Sequence, residues 1–181
     1  MNMKSQDIGL LLKLLSLQKQ EEVAPAHYTA RALAEETGIS KSQINMALNR
    51  CIAVGLAKRD RKTGIPRANT KALFEFIIYG LKYVFPAKAG ELTRGITTAF
   101  AAPVLNKKLM SAGEMPLVWP DAKGSTKGQA VEPLFKSVTH AANRDPEMYA
   151  LLALIDSIRL GQSREAGLAA DLLKQHFELT P

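Results

Sequence analysis

Two short runs of helical periodicity meet at a single glycine, and no other feature limits the fold of this chain as strongly. Arg31–Glu36 put Leu33 and Ala34 on one face, and Gly38 interrupts. Lys41–Ala53 then repeat Ile44, Ala47, Leu48, Cys51 and Ile52 at intervals of three and four residues, as one buried helix face requires. Thr29 suits the N-cap of the first helix, and Ser40, with Gln43 three positions on, suits a capping box for the second. Glycine tolerates the left-handed backbone of a tight turn. Ala34 lets the helices cross closely, with Ile39 and Ile44 between them. The second helix is expected to leave Ser42, Gln43, Asn45, Met46, Asn49 and Arg50 on or near its outer side.

Charge follows the same segment. Residues 41–71 hold eight Lys or Arg (Lys41, Arg50, Lys58, Arg59, Arg61, Lys62, Arg67, Lys71) and one acid, Asp60. That surplus of +7 equals the net charge of the whole 181-residue chain. Basic charge confined to one small motif is the footprint of a nucleic-acid contact face. Gly55 can end the helix, Leu56–Arg59 reads as a short strand, Arg61–Gly64 as a turn and Ile65–Asn69 as a returning edge strand. Pro66 removes a ladder donor, so an irregular hairpin is expected there. Arg61, Lys62 and Arg67 would hold phosphates or enter a minor groove, while Lys41, Lys58 and Arg59 add backbone attraction. Gln43, Asn45, Met46 and Asn49, with Ser42 and Arg50 close by, would read base edges, for which Gln, Asn and Arg offer paired hydrogen bonds.

The segment YTARALAEETGISKSQINMALNRCIAVGLAKR, within Thr29–Arg59 and the residue before it, resembles the winged helix-turn-helix of bacterial transcription regulators, broadly the MarR-like proteins. KYVFPAKAGELTRGITTAFAAPVL, VWPDAKGSTKGQAVEPLF and LLALIDSIRLGQSREAGLAADLL resemble a poorly characterised family of bacterial helix-turn-helix proteins over most of the chain. The resemblance implies a regulatory or adaptor role with no established catalytic residue. The proline and glycine content of Tyr83–Pro133 departs from typical MarR-like proteins, whose dimers use long terminal helices.

The remainder reads as mainly helical. Ile8, Leu11, Leu12, Leu14, Leu15 and Leu17 mark a first helix to about Gln20, and Ala72–Leu81 a nearly all-apolar one capped by Asn69 or Thr70. Five prolines divide residues 83–133, where Thr97–Ala102 and Asn106–Met110 are brief helical candidates. Leu134–His140 opens the final third. Asp145-Pro146-Glu147 is a strong helix start, Gly161 a stop and Ser163 the cap of a last helix reaching Phe177. The expected fold is mainly α with a small β-hairpin wing: residues 1–82 a winged helix-turn-helix domain, 83–133 an irregular Pro/Gly-rich segment, and 134–181 a C-terminal helical region for packing or oligomerisation.

Candidates for chemistry are few. His27, His140 and His176 lack metal spacing, and the single Cys51 faces inward. AKGSTKG at Ala122–Gly128 lacks the residue order of a phosphate loop, although Lys88, Arg94, Lys123 and Lys127 could meet flanking DNA or an acidic partner. Trp119 reads as a packing anchor, and Asp156 and Arg159 can pair one turn apart. No stretch approaches the ~20 apolar residues of a membrane span. The expectation is a cytoplasmic homodimer, not an enzyme and without cofactor or metal, that regulates transcription by binding specific double-stranded DNA. An adaptor that uses the same scaffold to bind an enzyme or toxin is the first alternative. An enzyme built on Arg94, Lys123 and His140 is the second.

Overall fold

The computed structural model describes residues 2–109 and 115–179. The chain is mainly helical with two small β-sheets, one of them a two-stranded antiparallel hairpin. It clusters into two compact units: Met1–Leu73 with Leu134–Met148, and Phe74–Pro133 with Tyr149–Pro181.

The first unit is built around helix α1, Ser5–Gln18, whose residues from Asp7 to Leu17 are all buried. Apolar side chains all round the helix explain why no face meets water. Its polar groups are paired. The backbone N–H of Lys4 donates to Asp7 Oδ2 (2.9 Å), which closes the first turn. The Lys13 ammonium lies 3.0 Å from Asp145, and the Ser16 hydroxyl donates to the same oxygen at 2.7 Å. Helix α2, Ala30–Thr37, is capped by Thr29, whose hydroxyl accepts from the Ala32 N–H. Gly38 follows at φ +76°, and Ser40 caps helix α3, Lys41–Ala53. Strands β1 (Ala57–Arg59) and β2 (Pro66–Ala68) pair antiparallel, with Ala57 opposite Ala68 and Arg59 opposite Pro66. The Gln18 side chain accepts from the Ala68 N–H (2.6 Å), so α1 satisfies an outer group of β2.

Leu134–Met148 completes this unit. A Cβ on Gly9 would fall 2.4 Å from the Phe135 ring, and one on Gly38 would fall 2.6 Å from Ser137 Cβ. Gly38 is therefore required twice, by its left-handed backbone and by this close approach. The Ser137 hydroxyl donates to the Thr37 carbonyl (2.7 Å), and His140 Nε2 bonds the Glu35 carbonyl. Helix α4 (Thr70–Tyr79) begins in this unit and ends in the second.

In the second unit, α5 (Leu81–Val84) follows Gly80, and β3 (Ala89–Thr98) is antiparallel to both β4 (Leu117–Pro120) and β5 (Thr126–Val131). Two parallel pairs between β4 and β5 close the ring. The stretch expected to be irregular, residues 83–133, thus contains all three of these strands. Thr97 and Thr98, expected to open a helix, end β3 before a 3-10 turn at Ala99–Ala101. Helix α6 spans Pro103–Leu109, and Met110 lies outside the described residues. The small ring closes because glycines line it: a Cβ on Gly95 would sit 1.9 Å from the Trp119 carbonyl oxygen, and one on Gly128 2.4 Å from that of Pro116.

Helix α7, Val138–Arg144, starts later than the helical segment expected from Leu134. Helix α8, Pro146–Leu160, begins as expected, with Asp145 Oδ1 accepting from the Glu147 N–H (2.9 Å). Its buried Asp156 accepts from Thr98 Oγ1 (2.7 Å), Trp119 Nε1 (2.6 Å) and Arg159 Nη1 (2.9 Å). Burial pushes the Asp156 carboxyl up, and these donors oppose that push. Arg159 also donates to the carbonyls of Phe85 and Glu132. Asp156 and Arg159 do pair, as the one-turn spacing suggests, and they form a buried junction between α8 and the sheet. Helix α9, Ser163–His176, is preceded by Gln162 at the N-cap in place of the expected Ser163, and Phe177 is buried beyond its end.

Candidate nucleic-acid interface

Helix α3 carries two interleaved series. Ile44, Ala47, Leu48 and Cys51 are buried, whereas Ser42, Asn45, Met46 and Asn49 are exposed. Both run at i, i+3, i+4 and i+7, so each forms one face of the helix. Burial first, then the Asp7 carboxylate, pushes the Cys51 thiol up to about 12, which keeps it protonated at neutral pH and leaves it a packing group.

Two residues expected on the outer face occupy the flank toward α1. Arg50 is 7% exposed, with Nε and Nη2 donating to the two Asp7 carboxylate oxygens at 2.8 Å each. This corrects its placement: a buried carboxylate at the third position of α1 needs a counter-charge, and Arg50 supplies it. The bond from Asp7 raises the guanidinium's proton affinity further. Two turns earlier on the same flank, Gln43 is half-buried and accepts from Gln6 Nε2 (2.7 Å). Lys41 at the helix start is exposed.

The hairpin presents Lys58, Arg59, Arg61 and Lys62 to solvent. Its turn is organised by Asp60, whose Oδ1 accepts the N–H groups of Lys62 (2.8 Å) and Thr63 (2.9 Å). Those two donors, Thr63 first, hold the carboxyl below its usual range, so the hairpin's one acid serves its backbone. Gly64 at φ +73° completes the turn. Arg59 Nη1 donates to the Gly64 carbonyl (3.1 Å). Arg67 is engaged differently from the others: it lies over the Tyr28 ring at 5.2 Å and donates to the Tyr28 hydroxyl (3.1 Å). It braces the base of the hairpin.

Sequence spacing missed two cations. A cleft of about 410 Å³ at the start of α3 is lined by Lys4, Ser40, Gln43, Lys136 and Ser137, among others. Lys4 and Lys136 are both exposed and come from opposite ends of the first unit's sequence. The seating of Phe135 on Gly9 and of Ser137 on Gly38 brings them to one cleft, and no local pattern encodes that.

Two of the three residues weighed for catalysis make hydrogen bonds to backbone carbonyls. His140 bonds the Glu35 carbonyl in the first unit, and Arg94 donates to the Gly124 carbonyl (3.4 Å) in the second, where Lys123 is exposed. Among the described residues, no three His, Cys, Asp or Glu side chains converge as a metal site. No described helix is long and apolar enough to cross a membrane. No protein-family model, curated protein or solved structure matches the chain.

Proposed function

We propose that the first unit is a winged helix-turn-helix and that the chain is a sequence-specific, double-stranded DNA-binding regulator of transcription. The observation that carries this reading is the composition of one helix face. Ser42, Asn45, Met46 and Asn49 are exposed together on α3, while the hairpin after it exposes four cations. Asn makes paired hydrogen bonds to adenine in the major groove. Lys58, Arg59, Arg61 and Lys62 suit the phosphates beside it, with Lys41, Lys4 and Lys136 at the other end of the helix. Arg50 has no part in this contact, and Arg67 acts by holding the hairpin.

The reading includes a homodimer, because one short helix reads few base pairs and a two-fold pair reads two half-sites. Burial counts against α1 as the seam, since its residues 7–17 are all buried. The exposed apolar residues at the α4–α5 junction suit the role: Tyr79 is 76% and Tyr83 74% exposed, with Val84 beside them. The same patch is what an adaptor would use to bind a protein partner.

Fluorescence anisotropy of a labelled duplex tests the reading. With five to seven phosphate contacts per protomer, log K should fall with log salt at a slope of roughly −5 per protomer. Equal, salt-insensitive weak binding to every duplex tried would leave the adaptor as the better account.

A further inference from the structure

We infer that the second unit contains a binding site for a small, largely apolar molecule that carries one hydroxyl or carbonyl group. The site is a cavity of about 350 Å³ with Ala99, Leu117 and Ser157 at its buried side and Leu160 on its wall. Lys88 and Gln162 stand at its exposed rim. That volume lies at the small end of ligand pockets, which run from roughly 300 to 1,000 Å³ and combine apolar walls with a few polar groups.

Two observations distinguish it from a packing defect. Ser157 is 1% exposed, and its hydroxyl has no hydrogen-bond partner among the described residues. A buried hydroxyl left unpaired is costly, and such groups in native structures usually have a reason. A rotation about χ1 between staggered wells is the only movement a serine needs to reach a guest. Ala99, where β3 passes into the 3-10 turn, has φ +53°, in the left-handed region that a residue with a Cβ rarely enters. Strained backbone of this kind clusters at ligand sites. An apolar guest body would cover Ala99, Leu117 and Leu160 while its single oxygen satisfies Ser157. The rim's Lys88 is exposed and free to meet a partial negative charge on the guest.

This inference goes beyond DNA binding and stands without it. The test is a ¹H–¹⁵N titration of the full chain, without DNA, using p-cresol, benzyl alcohol and toluene. p-Cresol should saturate, with shifts centred on the amides of Ala99, Leu117, Ser157 and Leu160. Toluene, the same shape without the hydroxyl, should bind five- to tenfold more weakly, the worth of about one hydrogen bond. Ser157→Ala should abolish that preference without lowering the melting temperature of the free protein, because no bond is lost. Leu160→Trp should fill the space and remove binding altogether. Absence of saturable shifts with all three compounds would overturn the proposal. So would shifts centred elsewhere, or a preference for p-cresol that survives in Ser157→Ala.

Discussion

Arg50 shows how much a single side chain can change in meaning between a sequence and a structure. Its position beside Asn49 and its charge both suit a base contact, yet it is the counter-ion of a carboxylate with no exposed surface, Asp7. Removing one partner of a buried pair strands the other charge. Arg50→Ala should therefore destabilise the first unit by about 3 kcal/mol, the lower end of the usual range because Arg50 keeps slight solvent access. Urea denaturation measures this, and the double variant Asp7→Leu/Arg50→Met should recover most of the loss. Asn49→Ala, on the exposed face, should leave the midpoint within ~0.5 kcal/mol of the parent. Helical period placed Ser42, Asn45 and Asn49 on one face, and the structure agrees. It did not separate the flank from the face, because Gln43 and Arg50 are turned aside by Gln6 and Asp7, residues 37 and 43 positions away.

At the scale of elements, two arrangements carry distinct consequences. Asp145 joins α1 to the start of α8 through Lys13 and Ser16. Burial pushes its carboxyl up, but the Ser16 and Lys13 bonds outweigh this and hold it below the usual range. Glu36 is held low chiefly by its bond to Arg144, against burial. A carboxylate with a depressed folded pKa contributes stability that is present above its unfolded value near 4 and lost as the pH falls through the folded value. Thermal unfolding should therefore show the first unit weakening below about pH 4, with a shallower acid dependence in Asp145→Asn. A parent and variant with parallel pH profiles would refute this role. In the second unit, Gly95 leaves no room for a side chain beside Trp119, so Gly95→Ala should cost about 3 kcal/mol or more by forcing the ring of strands apart. Circular dichroism melting of that variant checks the expectation. The sheet was not legible in advance for the same reason. AGELTRGITT and TKGQAV are poor in branched apolar residues, and their pairing depends on glycines admitting backbone contact between residues 31 to 42 positions apart. Helix α8, by contrast, announces itself through the local chemistry of Asp145-Pro146.

For the molecule as a whole, the chain leaves its first unit at Leu73 and returns to it for Leu134–Met148. Local signals identified the two crossing helices, the hairpin and the charge. The bracing of Gly9 and Gly38 by Phe135 and Ser137, and with it the cleft holding Lys4 and Lys136, depends on contacts that only a folded chain makes. The central claim concerns one surface with two kinds of contact, cations for phosphates and amides for bases. The most direct measurement is selection from a random duplex pool, followed by salt-dependent anisotropy with two double variants. Asn45→Ala/Asn49→Ala should flatten the selected preference by about 1–3 kcal/mol per lost base contact and keep the salt slope. Arg61→Ala/Lys62→Ala should weaken every duplex alike and reduce the slope by about 2. A pool that enriches no sequence, with affinity and slope unmoved by either pair, would contradict the account.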